Sequence, residues 1–377
     1  MSETKQMKKL GYGLMRLPKV EGTEETIDVE RVKGLVDKFM ARGFTYFDTA
    51  YIYGDGKSER AFREAVVKRY PRDSFTITDK IPMMNITREE QIAPIFDEML
   101  ERCGVEYLDY LWLHALGEVN YPKAVNTHAI EFVKQKKAEG KAKHIGFSYH
   151  GPADLLDEIL TKHPEFEYVQ LQINYLDWND PAVQSGKCYD VCVKHGRPVV
   201  VMEPVKGGSL VNLPEEAEAM FRAADPSMSN ASWAIRFVAS HENVMVVLSG
   251  MSDEAQVEDN TSYMENFEPL TPEQIEMCLK AGDILRKEIA VPCTGCRYCT
   301  PTCPKHIAIP DYFAVYNTIH RFGKKAGGDI INYYNNLIQT HGAPADCIKC
   351  GICEKRCPQH LKIRDYLQEA RAAFDSF

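Results

Sequence analysis

Apolar positions follow two alternating rhythms along the first 270 or so residues. Short β-branched and aromatic runs stand at Thr45–Thr49, Phe75–Thr78, Tyr107–Leu113, His144–Ser148, Tyr168–Ile173, Pro198–Met202 and Val244–Leu248, and another lies near Leu10–Met15. Between them, apolar residues recur at helical spacing over Val29–Ala41, Ser58–Tyr70, Glu89–Arg102, Val125–Ala138 and Asn230–Ser240. Strands that are apolar almost throughout, each followed by a helix, predict a parallel sheet covered on its outer face. Eight such units fit a (β/α)8 TIM barrel better than an open doubly wound sheet. No Gly-x-Gly-x-x-Gly follows the first strand, which also counts against the open sheet.

A helix over Glu273–Lys287 precedes a change of composition at Val291-Pro292, so residues 1–285 are read as the barrel and 286–377 as a second domain. That tail repeats itself. Cys293–Tyr312 reads CTGCRYCTPTCPKHIAIPDY, and Cys347–Tyr366 reads CIKCGICEKRCPQHLKIRDY. Cys, Pro, His, Ile, Asp and Tyr recur in register, which suggests two similar metal-binding units. Phe313–Arg321 and Ile330–Thr340 are predicted helices between the repeats, making the tail mainly α-helical.

Composition narrows the functions. The 377 residues carry 12 cysteines, eight of them in the two repeats. The start, MSETKQMKK, lacks an apolar segment of the secretory kind, and no apolar run reaches the roughly 18 residues that span a bilayer. A cytoplasmic, reducing setting is expected, where clustered cysteines bind metal more often than they form disulfides. The net charge of −9 argues against a nucleic-acid partner. From Arg286 onward, 13 Lys and Arg face 8 Asp and Glu, so the preceding part carries −14. The basic surplus offsets thiolate-ligated clusters, or serves to dock a partner.

Each repeat has the spacing Cys-x2-Cys-x2-Cys-x3-Cys-Pro. Three thiolates at three-residue steps wrap one face of a cubane, and the fourth serves the other cluster. The predicted sets are Cys293, Cys296, Cys299 and Cys357 for one [4Fe-4S] cluster, and Cys347, Cys350, Cys353 and Cys303 for the other. Zinc favours two separated cysteine pairs and fits this spacing poorly. The tail resembles bacterial-type ferredoxins, and its long helical insert is closer to the α-helical ferredoxin domains of respiratory iron-sulfur subunits. His306 and His360 would be redundant as ligands and are read as helix-entry residues. Cys103, Cys188, Cys192 and Cys278 are read as small apolar core residues.

The segment GFTYFDTAYIYGDGKSE sets Asp48 at a strand end and Tyr53 five residues on; the next strands end in Lys80 and His114. Barrel active sites form at that face. This pattern, over about residues 8–270, resembles the aldo-keto reductase family, and Asp48, Tyr53, Lys80 and His114 match its catalytic tetrad. The resemblance implies NAD(P)H-dependent reduction of an aldehyde or ketone, or oxidation of the alcohol. A free phenol has a pKa near 10 and is a reluctant acid-base group. Lys80 is expected to lower the pKa of Tyr53, Asp48 to hold Lys80, and His114 to hydrogen-bond the substrate oxygen.

The same resemblance assigns cofactor-binding positions. Asp48, Ser148, Gln170 and Met202 face the nicotinamide; Pro204 and Gly207 lie along the pyrophosphate; Gly250, Ser252, Gln256 and Asn260 take the adenosine phosphate end. Met202 stands where many relatives stack an aromatic residue, and Tyr149 where many carry Asn. Gly250 and Gln256 replace the basic residues of NADP-preferring relatives, and Asp253 is acidic, which implies a weak hold on the 2′-phosphate and competence with NADH. Three roles remain open for the fusion: carbonyl chemistry linked to an electron-transfer protein partner, a conventional reductase with structural or redox-sensing clusters, or a non-catalytic redox-sensing module. Linking two-electron hydride to one-electron clusters calls for a flavin, on this chain or a partner, though no flavin motif is visible.

Overall fold

The computed structural model describes residues 7–23, 26–180, 183–287, 289–293, 295, 297–322, 334, 337–357 and 359–375. The chain divides into two compact units, up to Leu279 and from Lys280, a boundary inside the helix Pro272–Lys287.

In the first unit eight parallel strands close into a barrel in chain order: β1 Leu10–Gly13, β2 Tyr46–Asp48, β3 Thr76–Ile81, β4 Leu108–Leu116, β5 Ala142–Tyr149, β6 Tyr168–Gln172, β7 Val199–Met202 and β8 Val244–Ser249. The register pairs Asp48 with Thr78, Lys80 with Trp112, Trp112 with Gly146, and Ser148 with Gln170. Paired residues share a face of the sheet, so these side chains point into the barrel. Tyr46, Tyr110, Trp112, Val200, Val246 and Leu248 pack one interior layer. A Cβ on Gly146 would lie 2.1 Å from the Trp112 ring, so only glycine leaves the indole its space there. Two residues further along the strands, the interior turns polar at Asp48, Lys80, His114, Ser148 and Gln170. The outward face carries Phe47, which meets Tyr12 and Phe39 at ring separations of 6.1 and 5.6 Å and seats helix α1 (Val29–Ala41).

Two predicted helices are interrupted. The span predicted over Ser58–Tyr70 is an α-helix, α2 (Lys57–Phe62), continued by a π-helical turn over Arg63–Val67. The span predicted over Val125–Ala138 breaks at His128, whose φ of 52° starts a new helix at Ala129. Among the described residues, no helix is long and apolar enough to cross a membrane.

The second unit is mainly helical. Helices Ile309–Phe322 and Ile363–Asp375 pack Tyr312, Phe313, Ile363 and Leu367 into its core. The predicted helix Ile330–Thr340 falls largely outside the described residues. The two repeats match in backbone as well as sequence. Gly295 and Lys349, Arg297 and Gly351, and His306 and His360 all have positive φ. His306 N–H donates to Cys303 O at 3.0 Å, as His360 N–H does to Cys357 O at 3.1 Å. Both histidines are exposed and stand three residues before the start of a helix, at Ile309 and Ile363.

Candidate active site

The four tetrad candidates meet at the C-terminal end of the barrel. Lys80 is fully buried, and its Nζ donates to Asp48 Oδ1 at 2.6 Å and to Thr49 O at 2.7 Å. Gln170 Nε2 donates to the other Asp48 oxygen at 3.0 Å. Tyr53 lies in the turn after β2, with its ring 5.1 Å from Lys80 Nζ and 6.0 Å, edge-on, from the His114 ring. That turn is tied down by Thr49, whose hydroxyl is 2.7 Å from that of Ser58, and by Ser58, which donates to Leu14 O at 2.9 Å.

Burial lowers the pKa of Lys80, but the nearby Asp48 carboxylate and Tyr53 outweigh it, so the net shift is upward and the ammonium is favoured. Burial pushes Asp48 up against the opposing pull of Lys80 and Gln170. His114 is pushed down to about 3 by burial, with the Lys80 charge adding to the effect, so its ring is neutral at neutral pH. Its Nδ1 is buried without a hydrogen-bond partner among the described residues. The expectation for Tyr53 is corrected. Lys80 does pull its pKa down, but burial pushes it up more strongly and Asp48 adds to the rise. The resting site therefore holds a protonated phenol, a donor rather than a phenolate.

A register shift between Leu113 and Leu116 leaves Ala115 at φ 55°, and its N–H donates to Ser148 Oγ at 2.7 Å. Irregularities of this kind re-aim side chains at strand ends. Tyr51 donates to Glu98 at 2.7 Å and is taken up structurally. Tyr149 is buried and donates to Pro152 O at 2.7 Å, so it replaces no amide contact in the site.

The cofactor candidates flank this centre on two loops. Met202 ends β7, and Glu203, Lys206, Gly207 and Gly208 that follow all have positive φ. The loop is braced from below: Lys206 Nζ donates to both Asp177 oxygens at 2.7 and 2.8 Å, and Asn174 Nδ2 donates to Glu203 O at 3.1 Å. Pro204 is buried beneath it, while Gly207 and Gly208 are exposed. After β8, Gly250 is exposed and Ser252 donates to Arg16 O at 2.6 Å. Gln256 and Asn260 bond within the structure: Gln256 Oε1 accepts from Ser252 N–H at 2.7 Å, and Asn260 Nδ2 donates to Ser249 Oγ at 2.7 Å. Asp253 caps the helix Glu254–Met264 by accepting from Gln256 N–H at 2.8 Å. An acidic cap sets a negative charge where a phosphate would otherwise sit.

Sequence reasoning missed two features here. Arg16, half exposed, comes 3.3 Å from the Cβ position of Gly207 and 3.9 Å from that of Gly250, so it bridges the two loops. Its only sequence signal is a cation just after the first strand. The second feature lies on the outer face of β3, directly behind Lys80. Glu59, Asp79 and Cys103 are all fully buried and converge there. Asp79 accepts from Lys80 N–H at 2.7 Å, Cys103 Sγ lies 3.5 Å from Asp79, and Arg102 donates to Glu59 at 3.0 Å. Glu59 Oε1 has no ordinary donor and faces the Asp79 carboxyl, so a proton on Glu59 completes that contact. Burial first, and then the Asp79 charge, push Glu59 up to about 9; burial also raises Asp79, to about 6.

In the second unit, a cavity of about 340 Å³ is lined by Cys303, Cys347, Cys350 and Cys353, and another of about 310 Å³ by Cys293, Cys299 and Cys357. Each combines thiols of one repeat with the final cysteine of the other. Cys296 lies outside the described residues. Two such gatherings of cysteine thiols fit iron-sulfur clusters, whose ligands are thiolates.

A closed parallel barrel with a buried lysine–aspartate pair beside a tyrosine at its C-terminal end defines an enzyme class, the barrel oxidoreductases that work on carbonyls. A sequence model of the Aldo/keto reductase family matches residues 9–283, and the chain belongs to that family. A 4Fe-4S dicluster domain model matches residues 292–361, and the second unit is such a domain. The chain is 24% identical over 287 residues to L-galactose dehydrogenase of Arabidopsis thaliana, covering 70% of this chain and 86% of that protein. It is 23% identical over 302 residues to L-glyceraldehyde 3-phosphate reductase of Escherichia coli O157:H7, covering 68% and 86%. Among solved structures, the holo form of an aldo-keto reductase from Bacillus halodurans superimposes with a TM-score of 0.60 at 22% identity, over 72% of this chain and 91% of that one. An aldo-keto reductase from Klebsiella pneumoniae in complex with NADPH gives 0.59 at 17% identity, over 73% and 90%. These likenesses bear out the barrel and the dicluster tail.

Proposed function

We propose that the barrel reduces a small aldehyde or ketone, or oxidises the corresponding alcohol, and that the tail exchanges the electrons involved with a partner. The observation that carries this reading is the buried Asp48–Lys80 pair set beside Tyr53 and a neutral His114. NAD(P)H, when bound, supplies or takes the hydride. His114 donates to the carbonyl oxygen and orients it toward Tyr53. Tyr53 gives its phenolic proton to that oxygen as negative charge develops there. Lys80, held charged by Asp48, stabilises the phenolate left behind, and so offsets in the transition state the burial that keeps the phenol protonated at rest. Ser148, Gln170 and Met202 would hold the nicotinamide, and Arg16 with Gly207, Gly250 and Ser252 would hold the phosphates.

In the tail, Cys293, Cys296, Cys299 and Cys357 hold one [4Fe-4S] cluster, and Cys347, Cys350, Cys353 and Cys303 the other. When bound, each takes up or releases one electron. The test is anaerobic. Tyr53→Phe should abolish carbonyl turnover while NAD(P)H still binds. In the unaltered chain, adding NAD(P)H with a flavoprotein partner present, whose flavin takes the hydride and passes its two electrons on singly, should bleach the cluster absorbance and raise a reduced-cluster EPR signal. Turnover in Tyr53→Phe refutes the acid-base assignment. Turnover without bleaching favours a conventional reductase whose clusters are structural.

A further inference from the structure

The rim of the cavity that contains Cys350 differs from that of its partner. Cys350 is exposed, and its counterpart Cys296 lies outside the described residues; the other positions match across the repeats, Cys347 and Cys293 half-buried, Cys353 and Cys299 buried. Ile348 and Ile352 line the same cavity and are 58% and 41% exposed, too much for core residues. Lys305 also lines the cavity, Lys349 sits between Ile348 and Cys350, and Lys355 and Arg356 stand one helical turn beyond Ile352. All four cations are exposed, and none has an ion pair among the described residues. The one acidic residue on this short helix, Glu354, is neutralised by Arg364 at 2.7 Å. In the other repeat Gly295, Pro301 and Thr302 stand where Lys349, Lys355 and Arg356 stand here, and Arg297 pairs with Asp311 at 2.6 Å.

We infer that this rim, built from Ile348 and Ile352 inside a ring of Lys305, Lys349, Lys355 and Arg356, docks a small acidic ferredoxin. The inference rests on the electron-exchange reading above. A pair of apolar side chains supplies a small contact, the size of weak redox encounters rather than of a permanent complex. The surrounding unpaired cations draw an acidic partner in and orient it. The exposed Cys350 puts a cluster ligand at the centre of that contact. A second copy of this chain would bring its clusters on a tail with the same basic surplus, 13 Lys and Arg against 8 Asp and Glu from Arg286 onward, so charge sets two such faces against each other.

The experiment uses the full chain with both clusters loaded, and a reduced acidic [2Fe-2S] ferredoxin as the probe. On anaerobic mixing one electron moves: the ferredoxin is oxidised by one electron, one [4Fe-4S]2+ centre is reduced to [4Fe-4S]+, and no bond or proton changes hands. The two cluster types absorb differently, so the transfer is read optically by stopped flow. The second-order rate should fall steeply with added salt. Lys305→Glu/Lys349→Glu/Lys355→Glu should slow it by about tenfold or more at low salt. Iron and sulfide contents, and cluster reduction by photoreduced deazaflavin, should match those of the unaltered chain. A rate unchanged in this variant overturns the docking face. Salt-reversible self-association through these lysines, seen by sedimentation, overturns it as well and makes a second copy the occupant. No nicotinamide or carbonyl compound enters the assay, so either failure leaves the barrel chemistry standing. Clusters that deazaflavin reduces but that the reduced ferredoxin cannot reduce at any salt in the unaltered chain sink the electron-exchange reading instead.

Discussion

Replacing Glu59 by glutamine removes one buried proton and keeps the shape around it. In the protein, Glu59 is held protonated against Asp79 up to about pH 9, whereas an unfolded chain releases that proton near the ordinary glutamate value of about 4.5. A carboxyl whose folded pKa is raised contributes stability that is fully present below the unfolded pKa and lost as pH climbs through the folded one. The window is therefore about pH 4.5 to 9. Inside it the native chain holds one proton more than the unfolded chain, so stability falls by about 1.4 kcal/mol per pH unit. Between pH 6 and 8 this amounts to about 1–3 kcal/mol, toward the lower end because Arg102 also pairs with Glu59 and favours its ionised form. In Glu59→Gln the amide N–H donates to Asp79 and the amide oxygen accepts from Arg102, with no proton at stake. The variant should be as stable as the unaltered chain near pH 5 and more stable at pH 8. Urea unfolding followed by tryptophan fluorescence measures this in the barrel alone, since Trp112, Trp178 and Trp233 all lie in the first unit. A stability difference between variant and parent that does not change from pH 5 to 8 refutes the shared proton. If the variant fails to fold, loss of a protonated-carboxyl infrared band in Asp79→Asn tests the same point.

Lys80→Met should leave Asp48 buried without its ion partner and cost about 3–5 kcal/mol in urea unfolding; adding Asp48→Asn should regain most of that stability but none of the turnover. Cys303→Ala should degrade the cluster held by Cys347, Cys350 and Cys353, which the Cys357→Ala variant retains, as read from paired EPR spectra of the two variants. Paired kinetics should show NADH used at least as well as NADPH, because Asp253 caps the helix where the 2′-phosphate would bind, and Asp253→Asn should shift the preference toward NADPH.

Where the chemistry follows strand order, the sequence was readable. Asp48, Lys80 and His114 each end a run of β-branched and aromatic residues, and a parallel barrel sends such ends to one face, so three consecutive strands announce one site. The cluster cysteines were readable because a thiolate loop needs fixed local spacing. Glu59, Asp79 and Cys103 were not, because they come from the start of helix α2, an outward strand position and the end of another helix, and meet only once the helices wrap the sheet. Asp79 in particular differs from Lys80 by one residue and therefore by one face of the sheet. The break at His128 was equally hidden, since apolar periodicity runs on through a residue whose backbone turns left-handed. The pKa of Tyr53 was misjudged for a related reason: a neighbouring cation can be read from a motif, but the depth of burial that opposes it depends on the whole packed barrel end.

The raised pKa of Tyr53 bears on direction as well as on mechanism. A phenol that rests protonated beside a charged lysine is poised to give a proton, which serves carbonyl reduction; alcohol oxidation asks the same group to start as phenolate. If Tyr53 is the acid-base group, carbonyl reduction should outpace alcohol oxidation at neutral pH, and oxidation should gain on it as pH rises toward the phenol's own titration, as paired pH-rate profiles would read. Reduction consumes a hydride, and a hydride carries two electrons, while each cluster of the tail carries one. Two clusters match that pair in number but cannot by themselves divide it, so a flavin on this chain or a partner has to stand between the nicotinamide and the clusters. On the proposed reading a ferredoxin would supply single electrons to the clusters, and the flavin would hand them in pairs to the nicotinamide, the direction in which a protonated tyrosine serves.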